Sequence, residues 1–126
     1  MHDLRSAAGN IVKYRWKTIG FVHGAKVLEL DEKGSSRKLP EEAHSSRMYI
    51  QQHPDGSFSQ LRIYDKRHRL RIEIAYHPER RLDPSGKDVL HYHIYKHPGF
   101  IHGKAHKLSG KNYKRYAKFL KEVTPP

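Results

Sequence analysis

Two stretches of this chain, "LRIEIAYH" (70–77) and "VLHYHIYK" (89–96), alternate their residues with a period of two. That alternation dictates extended strands, because successive side chains of a strand point to opposite faces and those of a helix do not. In the first stretch Leu70, Ile72, Ile74 and Tyr76 share one face, and Arg71, Glu73, Ala75 and His77 share the other. In the second, Leu90, Tyr92 and Ile94 form the apolar set against Val89, His91, His93 and Tyr95. "RMYIQQH" (47–53) and "SQLRIYD" (59–65) read as two more strands, with Leu61 and Ile63 inward and Arg62 and Tyr64 outward. Pro54-Asp55-Gly56, the Lys66-Arg67-His68 turn and a loop with Pro78, Pro84 and Gly86 separate them, residues that break strands for known conformational reasons. Four short strands in sequence predict a meandering antiparallel sheet.

Towards the C-terminus, 111–123 places Tyr113, Tyr116, Ala117, Leu120 and Val123 along one stripe of a helix, with Ser109 as its N-cap and Pro125-Pro126 as its stop. Upstream, "NIVKYRWKTIGFV" alternates like a strand and "AKVLEL" fits another, while "DLRSAAGN" is compatible with a short helix. "DEKGSSRKLPEEAHSS" reads as a loop. The expected fold is α+β, a single domain over 1–126 with a central antiparallel sheet of about four strands packed on the C-terminal helix.

Charge narrows the partners. Lys and Arg total 25 against 13 acids, a formal net charge of +12. Such an excess attracts polyanions, which makes RNA the first expected partner and DNA the second. A membrane surface is not expected, since the basic segments lack a broad apolar face, and no span or signal-peptide pattern is visible. The expected site of action is therefore cytoplasmic. Cysteine is absent, which excludes disulfides and thiolate metal sites.

If the apolar sets face the helix, the other sheet face gathers Arg62, Arg71, Glu73, His77, His91, His93 and Tyr95. These are the parts for acid–base chemistry on a phosphodiester: imidazole titrates near neutrality, and arginine stabilises negative charge on a transferring phosphoryl group. The expected catalytic set is His77, His91, His93 and Glu73, with Arg62, Arg71, Lys96 and Lys104 binding phosphate and no metal cofactor. A competing expectation is a divalent metal at His91 and His93, completed by Glu73 or His77. A further alternative is a nucleic-acid-binding module without catalysis, in which Trp16 and surface tyrosines stack on bases. His97, His102 and His106 trail in a basic loop, read as a phosphate-binding lip or a solvated segment.

The run from "YIQQHPDGSFSQLRIYDKRHRLRIEIAYHPE" to "VLHYHIY" resembles small toxin-like domains of bacterial prophages, conjugative elements and polymorphic toxin systems. The resemblance covers roughly 48–96 and rests on Arg62, Tyr64 and Asp65, then Ile74, Tyr76 and His77, then His91 and His93. It departs at Ala75, where an acid is expected and for which Glu73 would substitute. It implies a toxin-like ribonuclease on a compact helix-plus-sheet fold, from a mobile element, with a small acidic inhibitor or immunity protein as partner.

Overall fold

The computed structural model describes residues 2–5, 11–14, 16–30, 43, 47–53, 55–96 and 101–120, with 2–5, 11–14 and 30 as backbone only. The strands are β1 (His2–Arg5), β2 (Ile11–Tyr14), β3 (Trp16–Val22), β4 (Ala25–Leu30), β5 (Met48–Gln52), β6 (Phe58–Tyr64), β7 (Leu70–Pro78), β8 (Asp88–Lys96), β9 (Ile101–His102) and β10 (His106–Lys107). They are followed by one helix, α1 (Gly110–Tyr116), and a 3-10 turn, Ala117–Phe119. β1 and β2 pair in a sheet of their own. The rest form an eight-stranded sheet in the order β10-β8-β7-β6-β5-β4-β3, with β9 also on β8.

The expected four strands on a C-terminal helix are therefore corrected to a mostly β architecture with one short helix among the described residues. Three local causes account for the difference. "DLRSAAGN" begins with a strand, β1, rather than a helix. The N-terminal alternation extends the sheet through β3 and β4, joined by His23 and Gly24, both at positive φ (47° and 85°). Positive φ at both central residues suits the tight hairpin turn whose twist matches that of paired strands. Last, the chain doubles back after β8, so that β9 and β10 pair with β8 as an interrupted return strand. The sheet is not wholly antiparallel either, since β4 and β5 run parallel.

The C-terminal helix is shorter than its stripe predicts. Ser109 occupies the N-cap but makes no side-chain cap bond, and α1 buries no residue fully. The tightening into a 3-10 turn brings Phe119 into a three-residue spacing with Tyr113 and Tyr116. Phe119 and Leu120 are buried, and the two tyrosines pack partly against the same core. Val123 lies outside the described residues.

Each face of the sheet carries its own cluster. On one, Ala25, Val27, Ile50, Phe58, Leu61, Ile74 and Leu90 meet Leu108, Phe119 and Leu120. On the other, Leu28, Ala43, Tyr49, Tyr64, Leu70 and Tyr95 pack together with Trp16 against them. Leu70 belongs to this second cluster, because a register shift between Ile63 and Tyr64 takes it out of step with Ile72 and Ile74. No helix among the described residues is long and apolar enough to cross a membrane.

Candidate functional site: a file of histidines on the sheet

Strands β5 to β8 build the site by register. One cross-strand row runs Tyr49, Arg62, Glu73, His93, and the next runs Gln51, Gln60, Ala75, His91. His77 stands opposite Val89, one step along the same face. Ala75 is buried beside His91, and its methyl group leaves room in the row where a larger side chain would compete with the imidazole.

The imidazoles form a continuous file. Ring centroids of His77 and His91 are 4.7 Å apart, those of His91 and His93 5.2 Å, and those of His93 and His102 4.0 Å. The middle of the file is buried, with His91 at 0% and His93 at 3% exposure, while His77 and His102 at its ends are exposed. The polar face is therefore not a solvated one.

Backbone carbonyls set the tautomers. His91 Nδ1 lies 2.8 Å from Val89 O, His93 Nδ1 2.9 Å from Gly103 O, and His77 Nδ1 2.8 Å from Pro78 O. A carbonyl only accepts, so each Nδ1 carries a proton and donates it, which leaves Nε2 as the ring nitrogen facing the site. Burial pushes the His91 imidazole below its ordinary pKa; the Val89 hydrogen bond opposes this, and His77 and His93 reinforce it. His91 is thus neutral at pH 7. Its Nε2 is buried and has no hydrogen-bond partner among the described residues.

Glu73 and Arg62 form the floor. Arg62 donates from Nε (2.9 Å) and Nη2 (2.6 Å) to the same oxygen, Oε2 of Glu73. The guanidinium is fully buried and lies 5.9 Å from the Tyr95 ring centroid. Arg62 therefore holds Glu73 inside the sheet and is not open to solvent, as the expected phosphate role requires. Arg71 is exposed, and no described hydrogen bond or ion pair joins it to the file. Lys96 and Lys104 are exposed: Lys96 ends β8, where it pairs with Ile101 and alternates with Tyr95 onto the face away from His93, and Lys104 follows His102 by two residues.

Two residues at the file lie outside the expected catalytic set: Glu79, which the sequence does not single out, and His102, read there only as part of a phosphate-binding lip or a solvated segment. Glu79 follows directly on β7, where the Arg81 side chain donates to its Oε1 at 2.9 Å and holds its carboxyl below the usual range. His102 returns to the site because β9 pairs Tyr95 with His102. The Pro98-Gly99 dipeptide was the available signal, since such a pair between two strand-like runs announces a reversal. His106 instead stacks on Tyr92, outside the file, and His97 lies outside the described residues.

Among the described residues, two groups bring possible ligand atoms within 4.8 Å of one another: Glu79, His91 and His93, and Glu73, His93 and His102. No protein-family model, no curated protein and no solved structure matches this chain.

Proposed function

We propose that the chain cleaves RNA at the histidine file. The observation that carries this reading is a pair of exposed imidazoles, His77 and His102, each in ring contact with a buried one on a chain of net charge +12. The exposed rings can reach a substrate and exchange protons with it, while buried, neutral His91 is suited to accept a proton or ligate and not to act as an acid. In the reaction, one rim imidazole takes the proton of the ribose 2′-hydroxyl as that oxygen bonds to phosphorus. The bond from phosphorus to the 5′-oxygen breaks, and a protonated imidazole supplies the leaving oxygen with its proton, leaving a 2′,3′-cyclic phosphate. Lys104, exposed two residues beyond His102, offsets the charge on the transferring phosphoryl group. The partner proposed for the site, on the toxin-like resemblance alone, is a small acidic inhibitor.

Purified protein incubated with single-stranded RNA and with DNA tests the reading. RNA cleavage that falls roughly 100-fold or more in His77→Ala and in His102→Ala is the expected result for groups transferring protons in the reaction. RNA binding with no cleavage under any metal condition leaves only a nucleic-acid-binding module.

A further inference from the structure

We propose that Glu79, His91 and His93 form a binding site for a divalent transition metal of the zinc type. The binding is independent of the ribonuclease reading; what the ion does in cleavage rests on it.

The first support is convergence, because one possible ligand atom from each of the three residues lies within 4.8 Å of the others. Ligand atoms around a tetrahedral zinc with bonds of about 2.0–2.1 Å are about 3.3 Å apart, so the set needs to contract by no more than about 1.5 Å. Glu79 sits at the end of β7, where its side-chain torsions can supply that movement.

A second, independent support is His91 itself. A fully buried ring with a partnerless Nε2 lone pair is an unmet demand in a folded core. Both strand histidines also donate Nδ1–H to backbone carbonyls, the outer-shell arrangement that orients metal-ligating imidazoles. Two imidazole nitrogens and one carboxylate suit zinc, cobalt or nickel, whereas magnesium and calcium prefer oxygen alone. Three protein ligands leave a position for water or a phosphate oxygen.

The alternative group, Glu73, His93 and His102, is the poorer cation site, because fully buried Arg62 holds Glu73 with two bonds, whereas the arginine paired with Glu79, Arg81, is exposed and can be released into water. Both groups need His93, whose Nδ1 is committed to Gly103, so one ion at most is held. The net charge of +12 opposes a cation at long range. That field is screened beyond about 10 Å at 0.1 M salt, well outside bonding distance.

The experiment is equilibrium dialysis of the full chain against zinc and cobalt chloride, with elemental analysis, the cobalt visible spectrum and melting temperature as readouts. One equivalent of either metal, a cobalt spectrum of low coordination number and a zinc-induced rise in melting temperature that magnesium does not produce are expected. Glu79→Gln is expected to weaken binding at least tenfold, His91→Asn and His93→Asn to abolish it, and His102→Asn to leave it intact. Glu79→Gln tests the site at its rim, should the strand variants fail to fold. No metal bound by the wild type, unchanged affinity in Glu79→Gln, or loss in His102→Asn overturns the assignment. RNA cleavage by a wild type that takes up no metal in dialysis leaves the function standing and sinks the site; bound metal without cleavage does the reverse.

Discussion

Arg62 shows how one residue changes meaning with its surroundings. Its guanidinium is fully buried and held by Glu73, so neither charge is free to leave. Breaking a buried pair from one side strands an uncompensated charge, whereas removing both partners together does not. Arg62→Met is therefore expected to destabilise the chain by about 3–5 kcal/mol, and the Arg62→Met, Glu73→Leu double variant to regain most of that loss, read by denaturant unfolding. His91 makes a second residue-level prediction. Burial lowers its pKa in the folded state below the ordinary 6.5, so the unfolded chain takes up the proton first as pH falls. The stability this neutral ring contributes is complete above about pH 6.5 and is lost as pH drops through the folded value. Melting temperatures in EDTA should fall below that pH, and the fall should be shallower in His91→Gln.

Among the elements, the return strand after β8 decides how the site is closed. Gly103 donates its N–H to Ile94 O at 2.9 Å, and its own carbonyl receives the His93 proton. A Cβ built on Gly103 would stand 2.6 Å from Ile94 O, closer than such contacts occur. Gly103→Ala is thus expected to push the return strand off β8, destabilising the fold by about 1–3 kcal/mol and loosening His93 at the same time. Unfolding curves report the first effect, and loss of the slowly exchanging His93 Nδ1–H signal in NMR spectra reports the second. The turn between β6 and β7 is better insulated. Asp65 Oδ1 accepts the backbone N–H groups of Arg67 (2.8 Å) and Arg69 (3.1 Å), which lets His68 sit at φ 61° without glycine.

At the scale of the molecule, charge and sheet act on different partners. The eight-stranded sheet buries the centre of the histidine file, while the basic residues of α1, Lys111, Lys114 and Arg115, remain exposed with Lys118 beyond it. Binding of a polyanion by such residues releases counterions, so affinity should fall linearly with the logarithm of salt concentration. Replacing Lys111, Lys114 and Lys118 by glutamine should make that slope shallower by about 2 for single-stranded RNA, measured by fluorescence anisotropy. A change in affinity without a change in slope would remove these lysines from the phosphate contacts.

Alternation put His91 and His93 on one face of their strand, and aligning the apolar sets put Glu73 and Arg62 on that face with them, where the cross-strand register has them. It was also sufficient for the central hairpins, whose turn residues stand between the strands. What alternation does not carry is depth: a polar face reads alike whether water or protein lies above it. Only the tertiary structure decided that His91 and His93 are buried and that Arg62 is taken up by Glu73. The participation of Glu79 and His102 was also decided there. Both reach the file through chain reversals, at the end of β7 and after β8, and contacts made across a reversal are set by where the chain returns and not by local period. The extent of the sheet was legible in part, since the runs of β3 and β4 read as strands, but β9 and β10, two residues each, become strands only by finding a neighbour in β8.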